Sequence, residues 1–182
     1  MTSLPASVNA LWEDLQRSRA LVLHESEGLS QRQADWKPGA DDWSIGEVLD
    51  HLTMAEVATG KLTTKLTRDA ESTGTRAPFP ADVGSFTPLP PWPPGRGDAP
   101  PVVWPAHGKS IVDLVDVMKA TRERTRQSIE KLATLDPRTL TFKHFRLGDL
   151  DLAQWWILQA QHDRIHLEQI RAVKASPGFP PA

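Results

Sequence analysis

Ten of the chain's 16 prolines crowd into one stretch: Pro78, Pro80, Pro88, Pro90, Pro91, Pro93, Pro94, Pro100, Pro101 and Pro105. Each fixes φ and removes a backbone donor, so this stretch cannot be the interior of a helix or a sheet. With Gly95, Gly97 and Gly108 it defines a loop over 72–109. A connection this long inside a compact domain is uncommon, and usually serves as a functional lid or a partly disordered segment. Phe86, Trp92 and Trp104 favour partial docking on the body of the protein.

Outside the loop, apolar residues recur at helical spacing in four stretches. The first predicted helix runs from about Ala6 to Glu27. It places Val8, Leu11, Trp12, Leu15 and Val22 on a buried face, with Glu13, Arg17 and Arg19 elsewhere, and Gly28 is its stop. Ser30 is placed to cap a single turn over 29–34, and 35–43 is turn chemistry carrying Trp36 and Trp43. The second helix opens on a capping box, Ser44-Ile45-Gly46-Glu47, and ends between Leu66 and Ala70. Its stripe is Val48, His51, Met54, Ala55, Ala58 and Leu62.

The third helix runs from Ser110 to about Leu135 on a face of Ile111, Leu114, Val115, Met118, Thr125, Ile129 and Leu132, and Asp136-Pro137 ends it. Residues 142–150 are a connector with a turn at Gly148-Asp149. The fourth helix starts near Asp151, with Gln154 completing a second capping pattern, and runs to about Val173. Trp155, Leu158, Gln159, His162, Ile165, His166 and Gln169 share a face of it. The Pro-rich tail, 176–182, is expected to fray. No strand pattern competes. The expected architecture is all-α: one four-helix-bundle domain over 1–182, with the Pro-rich loop joining its second and third helices.

Bulk properties narrow the function. A chain of 182 residues can bury about 70% of its unfolded surface, so it needs no metal or disulfide merely to fold. Cysteine is absent, which excludes thiolate metal sites and a cysteine nucleophile and leaves His, Asp and Glu as ligands. With 21 basic and 23 acidic residues, a net charge of −2 gives no electrostatic case for nucleic acid or an anionic membrane. No signal peptide or membrane span is seen, and a cytoplasmic protein is expected.

His162 and His166, four residues apart, stand one turn apart on one helix face, within reach of a single ion. An inward histidine needs a partner, because an unpaired buried nitrogen costs about 1–3 kcal/mol. His51 lies inward on another helix. A shared cation would satisfy all three; separate bonds to backbone or hydroxyl groups are the alternative. Gln159 and Gln169 flank the pair by one turn and are candidates to orient water. Asp163 is either an acceptor behind a ligand or a solvated charge. Glu47 is a further catalytic candidate, although capping already accounts for it. His24 and His144 lack a partner pattern, and His107 is the one candidate for a fourth ligand.

The run Trp43-Ser44-Ile45-Gly46-Glu47-Val48-Leu49-Asp50-His51-Leu52 resembles the second-helix signature of the DinB-like family. Leu147-Gly148-Asp149-Leu150-Asp151-Leu152-Ala153-Gln154-Trp155-Trp156, followed by His162-Asp163-Arg164-Ile165-His166-Leu167-Glu168-Gln169-Ile170, resembles its fourth-helix signature. The resemblance implies a bundle with a three-histidine site for one divalent ion: His51, His162 and His166. Zinc or nickel is the first expectation, with iron or manganese also compatible with imidazole. It implies a metal-dependent hydrolase or a low-molecular-weight thiol S-transferase acting on a small molecule, and allows a homodimer. A non-catalytic, metal-dependent small-ligand-binding protein of the same fold is the alternative. Relatives often carry His-Pro in the last connector and Arg before the second histidine; here stand His144-Phe145 and Ile165. Trp92 or Trp104 would make the Pro-rich loop a lid, so that deleting Pro88 to Pro101 should alter ligand access and leave metal content intact.

Overall fold

The computed structural model describes residues 4–95 and 99–181; Gly97 of the loop and Ala182 of the tail lie outside them. Its long helices are α1 (Ala6–Glu25), α3 (Ile45–Ser72), α4 (Ile111–Leu132) and α5 (Leu152–Ala175), with a short α2 (Gln31–Asp35). The starts are set by side-chain caps. Ser44 accepts from the Glu47 amide while Glu47 accepts from the Ser44 amide at 2.7 Å. Ser30 with Gln33 and Asp151 with Gln154 repeat this reciprocal arrangement at α2 and α5.

The helices form a ring in which α1 packs on α5 and α4, and α3 packs on α4 and α5. Cross-helix pairs give the directions. Glu56 meets Arg122 and Thr64 meets Lys131, so α3 and α4 run parallel. Asp14 meets Arg164 and Glu25 meets Lys174, so α1 and α5 run parallel. Thr63 meets Trp156 while His51 meets His162, so α3 and α5 run antiparallel. Parallel neighbours explain the long loop. It must carry the chain back along the 28 residues of α3, about 42 Å at 1.5 Å per residue.

Among the described residues the bundle packs two apolar cores. One gathers Val22, Ile45, Leu49, Leu114, Met118 and Ile170; the other gathers Leu11, Leu15, Ile129, Leu132, Leu152 and Trp156. Between them lies an ionic layer. Arg19 donates to Asp163 at 2.7 Å and to Glu56 at 3.0 Å, and Arg122 donates to Glu56 at 2.7 Å and to Asp163 at 3.2 Å. Ser18 and Thr125 add hydroxyl donors, so all four long helices contribute.

Several expectations change. Arg19, placed off the buried face, is 2% exposed, because two carboxylates neutralise it inside. In α3 the buried line beyond His51 is Leu52, Glu56, Thr59, Thr63, Thr67 and Ala70, while Met54, Ala55, Ala58 and Leu62 are half-buried. Burial of these threonines is cheap, since each hydroxyl donates to the carbonyl four residues back. Ile165 is 44% exposed and leaves the face assigned to it.

The connector before α5 is a hairpin of β1 (Thr141–His144) and β2 (Gly148–Asp151), with Phe142 opposite Leu150. His144 Nδ1 accepts the Arg146 and Leu147 amides to shape its loop, and Gly148 supplies a φ of 75°. The tail is docked: Phe179 packs edge-on against Trp36 and the Pro180 carbonyl accepts from Gln33.

Candidate metal centre

His51 sits two turns into α3, fixed in register by the Ser44 cap, and His162 and His166 face it from α5. His162 Nε2 lies 3.0 Å from His51 Nε2 and 2.9 Å from His166 Nε2. One nitrogen from each ring lies within 4.8 Å of the others. Two nitrogens about 2.1 Å from one ion stand about 3.0 Å apart at right angles and about 3.4 Å apart at the tetrahedral angle, so the two spacings through His162 are close to those around a shared cation.

The far side of two rings fixes where the protons are. His51 Nδ1 is 2.8 Å from the Val103 carbonyl, which can only accept, so Nδ1 carries the hydrogen. His166 Nδ1 donates to Gln169 Oε1 at 2.7 Å. Both Nε2 atoms therefore present bare lone pairs to His162 Nε2. A single N–H on His162 can be aimed at one of them, and the other lone pair would face nitrogen. A cation satisfies all three at once.

Electrostatics favour the neutral, ligating form. Burial holds His51 below its ordinary pKa against the Val103 bond and the Asp50 charge. Burial, then charge on His166, His51 and Arg19, holds His162 well below. Burial, with charge on His51 adding to it, pushes His166 down to about 4, against Gln169 and Asp163. Trp43 walls the cluster, its ring 4.8 Å from His51 and stacked at 15° on His166. Trp104, 55% exposed, packs edge-on against Trp43 from the end of the Pro-rich loop.

The other candidates fall elsewhere. Gln159 donates to Thr59 at 3.0 Å. Asp163 is neither solvated nor behind a ligand; its carboxylate belongs to the ionic layer. Glu47 holds the α3 cap, with Lys37 at 3.3 Å and His107 at 3.6 Å. His107 is thus on Glu47, outside the triad, and His24 pairs with Glu27 on the surface. Gln169, expected to orient water, instead accepts from the His166 ring. Val103 escaped sequence reasoning because a backbone carbonyl leaves no residue-type signal. Trp43 was legible only as a packed loop aromatic.

The described parts of the Pro-rich loop are docked at several points. Gln154 donates to the Pro88 carbonyl, and Arg146 donates to the carbonyls of Pro93, Pro94 and Gly95. A 3-10 turn over Pro101–Val103 then brings it to His51.

Comparison with known proteins agrees with this architecture. The uncharacterized protein YuaE of Bacillus subtilis (strain 168) is 29% identical over 162 residues, covering 86% of this chain and 93% of its own. The crystal structure of TT2238, a four-helix bundle protein, superposes with a TM-score of 0.57 at 18% identity, covering 91% of this chain and 98% of that one. At that identity the likeness speaks to fold alone. A family model described as the DinB superfamily matches residues 14–170, and the chain belongs to that superfamily.

Proposed function

We propose that the protein is a metal-dependent enzyme acting on a small molecule, with one divalent ion held by His51, His162 and His166. The observation that carries this reading is the pair of bare Nε2 lone pairs turned onto His162 Nε2. When bound, the ion supplies Lewis acidity for hydrolysis or for transfer of a low-molecular-weight thiol.

The chain's own residues orient and shield the centre. Val103 and Gln169 hold two imidazoles in the tautomer that ligates. Trp43 covers one side, stacked on His166 and tilted against His51. Trp104, exposed and packed on Trp43 at the edge of the centre, supports a substrate with an apolar part. The nearby carboxylates are committed: Asp50 to Lys109, Glu47 to its cap and Asp163 to two arginines.

Mass spectrometry of untagged protein, wild type beside His162→Ala, tests the centre. About one ion per chain is expected in the wild type and loss in the variant. Absence of metal from wild type after dialysis against zinc, nickel and manganese would overturn the site. Esters, amides and thiol–acceptor pairs then test turnover; bound metal without turnover on any of them would favour a binding protein.

A further inference from the structure

The end of the Pro-rich loop is clasped to the start of α3 by a residue outside the triad. Asp50, 5% exposed, accepts Lys109 Nζ on both oxygens at 2.8 Å and the Ala106 amide at 3.0 Å. The next residue, His51, donates to the carbonyl of Val103, three residues before Ala106. Pro100, Pro101 and Pro105 lie along this strap and fix φ at three positions. Of these only Pro105 lies between Val103 and the seat at Ala106, where it fixes one φ, while Pro100 and Pro101 open the 3-10 turn on the other side of Val103. Seating Ala106 and Lys109 thus leaves only Trp104 and Pro105 between the anchor and Val103.

That carbonyl decides whether His51 can ligate. With the hydrogen held on Nδ1, the Nε2 lone pair is always available. Without it, the ring can turn or carry its hydrogen on Nε2, the nitrogen that faces the other histidines. We propose that Asp50 is a positioning residue for the metal centre, acting through Lys109 and the Ala106 amide to seat the Val103 carbonyl on His51. The inference rests on the triad being a metal site, and its test includes a readout that needs no metal.

Lys109 is 46% exposed, so it can be changed without opening the core. Full-length Lys109→Met and Lys109→Arg are compared with wild type in two measurements. The first is zinc affinity by competition with a chromophoric chelator. The second is the tautomer of His51, from long-range proton–nitrogen correlation spectra of the metal-free protein. Lys109→Met should bind zinc about tenfold more weakly, the lower end of the usual effect of losing a ligand's orienting partner. His51 should lose its single Nδ1–H tautomer, and Lys109→Arg should restore both. A Lys109→Met protein with wild-type zinc affinity and an unchanged His51 tautomer overturns the proposal. So does weaker zinc binding with the tautomer intact, which would mark general loosening. Failure of wild type to bind zinc removes the metal reading alone, and the tautomer still decides whether the clasp positions His51.

Discussion

At the scale of single residues, the centre depends on which nitrogen of each imidazole carries a hydrogen. Gln169 Oε1 is the acceptor that fixes His166. Gln169→Ala should therefore weaken metal binding by about 10–100-fold while leaving the helix intact, measured by chelator competition and circular dichroism. The metal-free protein should also be acid-sensitive. His166 titrates at about 4 when folded, against 6.5 for an ordinary histidine, and His51 and His162 are lowered too. The unfolded chain then binds more protons between about pH 6.5 and 4, so stability falls as pH drops through that window. Urea midpoints should decline from pH 7 to 4.5, and less steeply in His166→Gln; equal slopes would mean that burial does not hold His166 neutral. The clustering of the three histidines was legible in the sequence, because one helical turn separates His162 from His166 and the Ser44 cap sets the register of His51. Their partners were not, since Val103 contributes only a carbonyl and reaches His51 from 52 positions away. Asp163 misled by adjacency: its contacts are with α1 and α4, and nothing near it in the chain announces them.

At the scale of elements, helices with side-chain caps could be read closely, because a cap is a local chemical event. Ser30, Ser44, Ser110 and Asp151 each cap the helix expected after them. The hairpin escaped because its strands have four residues each and carry Lys143, Asp149 and Asp151, which are weak strand formers. The stripe of α3 was misdrawn because it was traced through apolar residues, whereas threonines that bond their own helix fill the buried line. The Pro-rich loop divides by role. Its part near Pro88–Gly95 meets α5 and the hairpin loop, and its part near Pro101–Lys109 meets the start of α3. Deleting 88–95 leaves about 30 residues to cover about 42 Å, well within the ~3.3 Å each can span. That variant should fold and bind metal within about threefold of wild type, with a melting temperature lowered by a few degrees. Loss of metal from it would mean that the hairpin-docked part also supports the centre.

At the scale of the whole molecule, one layer joins the bundle and aims the site. Arg19, Glu56, Arg122 and Asp163 come from α1, α3, α4 and α5, and His162 precedes Asp163. Two charges of each sign balance, and burial pulls against the Asp163 and Glu56 charges that keep Arg19 charged. Removing one member strands a charge in the interior. Asp163→Leu leaves Arg19 and Arg122 sharing Glu56, and should cost about 3–5 kcal/mol in urea denaturation. Adding Arg19→Met restores neutrality and leaves the Arg122–Glu56 pair intact, so the double variant should regain part of that loss. This is coupling between neighbours in one network, which a double-mutant cycle reads directly. Metal binding should not recover in step. An apolar contact between α1 and α5 has no direction, whereas the two-oxygen grip of Arg19 on Asp163 sets the rotation of α5 and hence the aim of His162. The double variant is expected to be more stable than Asp163→Leu and still to bind zinc more weakly than wild type. Additive losses in the cycle would mean that the two residues act separately; wild-type zinc affinity in the double variant would mean that packing alone orients α5.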